Sequence, residues 1–194
     1  RWSLVTLNDD PGARRPVLLA RYLKLDERIA GYLLGSDAVD SRLAPLIPQA
    51  AREGPQELAG NAVETLRQWA TAWPAGWSSD GPVVLLHGRY GTGARAGAKL
   101  LADTLGKPLL LLSLPDLLAS DLPLGQGLAL AEREAVLSGS LLAWSDVDGV
   151  LQPEAEAGDE RRAFVQALAR GHAPTILLSR ATWEPAHELA RRPF

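Results

Sequence analysis

The stretch Pro82–Leu105, PVVLLHGRYGTGARAGAKLLADTL, constrains this chain more than any other. An apolar run, Val83–Leu86, leads into a turn punctuated by Gly88, Gly91 and Gly93, and an Ala/Leu-rich helical segment follows from Ala94. In a strand–turn–helix context, a G-x-x-x-x-G turn curls its backbone N–H groups around an anion, and the helix N-terminus adds its positive dipole end. The full phosphate-binding pattern closes on Gly-Lys-Ser/Thr, whereas this chain reads Gly93-Ala94-Arg95. The cradle Gly88, Arg89, Tyr90, Gly91, Thr92, Gly93, Ala94, Arg95 is therefore a candidate phosphate site without the usual lysine or the hydroxyl that holds magnesium. Arg95 replaces part of the lost charge, or else it is a solvated cation on the helix surface.

Downstream, apolar runs alternate with helical patterns. Leu109–Leu114 is apolar on both faces, as a buried parallel strand requires. Leu141–Trp144 and Thr175–Leu178 read as further strands, and Gly125–Ser138 and Asp159–Arg170 as helices stopped by Gly139 and Gly171. Ala181–Arg192 reads as partly helical. Four strands with intervening helices predict an α/β fold with a parallel sheet, right-handed crossovers and ligands beyond the strand C-termini. The Gly88–Gly93 turn, Asp146, Asp148 and Ser179 all fall at such ends.

Upstream of Pro82 the pattern changes. Arg1–Leu7 and Val17–Leu25 predict a wing-like hairpin across the turn cluster Asn8–Gly12. Asp26 is placed to cap a helix over Glu27–Leu34, with Gly35 as its stop. Ser36–Gly54, broken by Pro45, Pro48 and Gly54, predicts a connector with short helical turns. Pro55–Trp73 predicts a helix whose Leu58, Ala62, Leu66, Trp69 and Trp73 share a core-facing side. Pro74–Gly81 reads as a linker, so the expected organisation is a mostly helical, wing-like region over 1–73, a linker over 74–81 and an α/β core over 82–194.

The acids after the third strand have two readings. With Trp144 as the last strand residue, Ser145 takes the place of a metal-binding Asp and Asp146 that of the acid that polarises water. A shift of one residue puts Asp146 in the metal role. Asp146 and Asp148 are otherwise turn and cap residues, and Ser179 is either a γ-phosphate or water contact or a local cap. Arg191 and Arg192 are a candidate arginine finger, or a solvated pair.

Composition narrows the partners. A net charge of −3, with no basic stripe interleaved with aromatics, argues against nucleic acid. Cysteine is absent, which removes disulfide and thiolate chemistry and fits a cytoplasmic protein. No apolar run reaches the length of a membrane span, and the three histidines are scattered. The chain contains no methionine, so a piece of a longer protein is expected.

Taken in order, these segments resemble the AAA+ ATPase core. GRYGTGAR (Gly88–Arg95) is similar to its phosphate loop, departing at Ala94 and Arg95. LLAWSDVDGVL (Leu141–Leu151) resembles its second acidic motif, departing at Ser145. PTILLS (Pro174–Ser179) resembles the strand carrying the first sensor, and Arg191–Phe194 the approach to a fifth strand. Arg15–Leu46 resembles the region before the core in a bacterial AAA group with winged-helix or helical N-terminal regions. The resemblance implies a three-layer P-loop NTPase fold cut before the fifth strand and lid. It also implies ATP or ADP with Mg2+ as cofactors, and protein partners or a homo-oligomeric ring. Asp146 would polarise water or hold the metal, Asp148 would support it, Ser179 would sense the γ-phosphate and Arg192 would act as the finger. With Ala94, Arg95 and Ser145 at chemical positions, hydrolysis is expected to be weakened or lost. A scaffold that binds no nucleotide is the alternative.

Overall fold

The computed structural model describes residues 4–9, 21–48, 58, 60–71, 81–88, 93–152 and 158–184. Four apolar runs form one parallel sheet: β3 (Val83–His87), β4 (Leu109–Ser113), β5 (Leu141–Ser145) and β6 (Thr175–Ser179). Their order across the sheet is β3-β6-β5-β4. The register aligns Val83 with Thr175, Leu142 with Thr175 and Leu109 with Leu141, so all four C-termini reach one rim.

Every position of β5 and β6 is buried, which explains why these strands read as unbroken apolar runs rather than alternations. Alternate residues then feed two cores. Leu110, Leu112, Leu142, Trp144 and Leu177 pack with α4 (Leu114–Ala119), α5 (Leu124–Ser138), α6 (Asp148–Leu151) and α7 (Gly158–Arg170). Val84, Leu141, Ala143, Ile176 and Leu178 pack with Ala98, Leu101 and Ala102 of α3 (Ala94–Thr104). The result is a three-layer α/β arrangement. Its two faces follow from the strand order. The chain crosses the sheet one way from β3 to β4 and returns through β5 to β6, and crossovers of one hand must then lie on opposite faces.

The N-terminal region begins with an antiparallel pair, β1 (Val5–Asn8) and β2 (Tyr22–Leu25), registered from Val5 with Leu25 to Asn8 with Tyr22. This is the expected hairpin. Helix α1 (Glu27–Leu33) follows, capped by Asp26, whose carboxylate accepts from Arg28 N at 3.0 Å. The connector contains the expected short turn, a 3-10 piece at Ala44–Leu46, and its Leu43 and Leu46 are fully buried in the core that holds Trp144. Helix α2 (Gly60–Thr71) lies on α3. A Cβ on Gly97 would stand 3.3 Å from Leu66 Cδ1, so the glycine permits the approach.

Several boundaries differ from expectation. Strand β4 ends at Ser113 because its hydroxyl accepts from Asp116 N at 3.2 Å and Pro115 suits a first helical turn, so Leu114 opens α4. In α2, Ala70 is buried whereas Trp69 is 38% exposed, so this tryptophan is not a core residue. Of the segment Ala181–Arg192, expected to be partly helical, Ala181–Glu184 is not helical and the rest lies outside the described residues, as do Pro55, Trp73 and the linker 74–80.

Candidate functional site

The rim where the strands end is serine-rich. Ser113, Ser145 and Ser179 terminate β4, β5 and β6, and all three are buried. Strand β3 joins them: Gly88 N donates to Ser179 O at 3.1 Å, and His87 is level with Ser179. The loops leave this edge toward opposite faces, α3 on one side and α6–α7 on the other. An open α/β sheet binds ligands in the crevice that such a divergence creates.

Gly93 starts α3 from a left-handed conformation, φ 85°, which L side chains rarely adopt. Its carbonyl accepts from Gly97 N at 2.7 Å, closing the first helical turn. Arg95, in that first turn, turns its guanidinium across the strand ends. Nη2 lies 3.3 Å from Asp146 Oδ2 and 3.5 Å from Ser145 Oγ, with the side chain 27% exposed. Of the two readings offered by the sequence, the solvated cation does not describe it. Lys99, one turn on, does sit on the surface, paired with Asp103. Asp146 directly follows β5 and has φ 57°, a left-handed conformation that short polar side chains tolerate best.

Asp148 belongs to a different set of bonds. Its Oδ1 accepts from Ser179 Oγ at 2.8 Å and from Arg180 N at 2.9 Å. The single Ser179 hydroxyl hydrogen has a second acceptor in Ala181 O at 2.7 Å, and Ala181 N donates to Ser179 Oγ at 3.1 Å. Burial pushes the Asp148 carboxyl up, but the bonds from Ser179 and the Arg180 and Ala181 backbone, with the Arg180 charge, outweigh it and hold it below the usual range. Oδ2 is buried without a hydrogen bond, 3.5 Å from Arg180 Nε. This arrangement ties the start of α6 to the end of β6.

Of the candidate residues, Gly88, Gly93, Ala94, Arg95, Asp146, Asp148 and Ser179 come together at this rim. Arg89, Tyr90, Gly91, Thr92 and Arg192 lie outside the described residues. Mg2+ requires several oxygen ligands in near-octahedral array. At this rim Arg95 presents a guanidinium and Ser145 a neutral hydroxyl, and no group of three or more His, Cys, Asp or Glu suited to a metal occurs among the described residues. The donor set does not suit that ion.

Sequence reasoning missed a second constellation. Arg28 donates from Nε and Nη2 to Glu134 at 2.8 and 2.9 Å. Arg133 reaches Asp40 at 2.6 Å and Asp26 at 3.1 Å, and Arg42 bridges the same two aspartates. Arg133 and Glu134 are essentially inaccessible to solvent. The one local signal was spacing: Glu134 is four residues from the buried Leu130, on the same face of α5. Glu132 accepts from His172 N and Ala173 N, pinning α5 to the start of β6.

Among the described residues no helix is long and apolar enough to cross a membrane. The chain matches no curated protein. Residues 1–47, which span β1, β2, α1 and the 3-10 turn, match the family described as winged helix domain, variant.

Proposed function

We propose that the chain is a nucleotide-binding module of AAA+ type, with hydrolysis weakened or lost, that couples ATP or ADP occupancy to a protein assembly in the cytoplasm. One observation carries this reading: the β3 end, Arg95, Asp146 and the Ser179–Asp148 pair converge on the rim where the strand connections part. The departures at Ala94, Arg95 and Ser145 support weak turnover. Ala94 removes an ammonium contact to developing phosphate charge, a loss that costs about 3 kcal/mol of transition-state stabilisation, and Arg95 and Ser145 remove the hydroxyl and the acid that would hold Mg2+. Asp146 is engaged by a guanidinium, so its carboxylate is already occupied where an attacking water would have to be oriented.

The partner side rests on the N-terminal region. Leu4, Val5, Leu7, Tyr22, Leu23 and Leu25 of the hairpin are exposed, and Leu33 and Leu34 at the end of α1 are more so. Among the described residues from β1 to the 3-10 turn, the cations Arg21, Lys24, Arg28 and Arg42 are each paired with an acid. A surface of apolar side chains and neutralised cations suits a protein partner, or a neighbouring subunit of a ring, better than nucleic acid.

Thermal unfolding with and without ATP tests the reading. A ligand at a hundred times its Kd stabilises by about 2.7 kcal/mol, so a clear upward shift in Tm is expected, with phosphate release near the uncatalysed rate. The scaffold reading is favoured by one feature: Arg95–Asp146 and Asp148–Ser179 already satisfy each other. No shift at millimolar ATP would select it.

A further inference from the structure

We propose that Arg95 takes the place of the divalent cation, so that the site holds the polyphosphate of a nucleoside di- or triphosphate without Mg2+. The inference rests on the nucleotide reading above and specifies the chemistry of that site. Three observations carry it. The guanidinium leans across the strand ends to Ser145, which closes β5, and to Asp146, which follows it, the two residues that would have to hold a divalent cation at this rim. The residues that would ligate such a metal are replaced by the arginine itself and by the neutral, buried Ser145. A dication placed there would meet a fixed positive charge a few ångströms away, and at such separations like charges repel strongly wherever solvent is partly excluded.

Arginine can perform the substituted task. A polyphosphate entering this rim must approach the Asp146 carboxylate, and an adjacent cation offsets that repulsion. A guanidinium carries five N–H donors in a planar fork that matches phosphate oxygens bidentately. Its charge is permanent, so the site needs no free metal to become anion-binding.

Calorimetric titration of the whole chain with ATP, once in EDTA and once in excess Mg2+, tests this. The two affinities are expected to agree within about threefold. Binding that requires Mg2+, or that falls tenfold or more in EDTA, overturns the metal-free site and leaves the nucleotide reading standing. Absence of binding in both buffers overturns both. Binding of inorganic tripolyphosphate as tight as ATP overturns the nucleoside part of the proposal. Arg95→Ala should weaken binding in EDTA about tenfold or more. If this variant keeps its thermal transition and still binds ATP in EDTA with wild-type affinity, Arg95 is not the cation.

Discussion

Asp146 carries a backbone cost that its side-chain pairing does little to offset. Its backbone is left-handed, which for an L residue costs about 1 kcal/mol relative to glycine. Its carboxylate, nearly half exposed, faces a partly exposed arginine, and such pairs contribute little to stability. Replacement separates the two effects. Asp146→Gly and Asp146→Ala both lose the ion pair, but only the glycine relieves the backbone. Asp146→Gly should therefore be more stable than Asp146→Ala by about 1 kcal/mol in urea unfolding. Equal stabilities would mean that the backbone at 146 carries no strain. If Arg95 and Asp146 act together on a nucleotide, neither variant should bind as the native chain does, whatever its stability.

Helix α5 carries the least expected feature of the molecule, two adjacent charged side chains in the interior. Arg133 and Glu134 are compensated by Asp26, Asp40 and Arg28, and removing one partner of such a set leaves a buried charge unpaired. Arg133→Met should cost about 3 kcal/mol at neutral pH, read from the shift of a urea midpoint. Acid should act on the same residues. Burial raises the carboxyls of Asp26 and Asp40, but hydrogen bonds from Arg42 and the charges of Arg42 and Arg133 win, and both lie below the usual range. Depressed carboxyls contribute stability that is complete above the unfolded pKa of about 3.9 and is lost as pH falls through the folded values. The native chain should therefore lose stability steeply below about pH 4, and the deficit of Arg133→Met should shrink there. A deficit independent of pH would place the cost in packing rather than charge. The pairing itself was not legible beforehand, because Arg28 and Glu134 lie 106 positions apart and local pattern carries no sign of so distant a partner. What depends on short range was readable: the apolar runs of β3 to β6, the stop at Gly139, the Asp26 cap. The boundary at Leu114 was not, because the Ser113 cap, rather than hydrophobicity, decides it. At the rim, residue types and strand ends were visible, but the separation into Arg95–Asp146 and Asp148–Ser179 depends on side-chain direction.

At the scale of the whole molecule, the region before Pro82 touches the α/β layers on both faces. Leu43 and Leu46 enter the core of the α5–α7 side, and Ala70 of α2 enters the core of the α3 side. The ion network adds Arg28, Asp26 and Asp40 to α5. Composition suggests a linker over 74–81, which by itself would favour two independent units. The packing argues otherwise: taking this region away would expose Leu43 and Leu46 sites on the sheet's helical layer and leave Arg133 and Glu134 without their partners. Calorimetry of the whole chain should therefore show one transition whose calorimetric and van't Hoff enthalpies agree. Leu46→Ala, a fully buried substitution before the linker, should move that entire transition by about 2–5 kcal/mol. Two resolved transitions, with Leu46→Ala shifting just one of them, would show that the N-terminal region folds apart from the sheet. If they unfold together, a ligand at the rim stabilises the N-terminal surface as well, because both draw on one folding equilibrium. That shared equilibrium is the physical route by which nucleotide occupancy could be felt by a partner seated on the exposed hairpin.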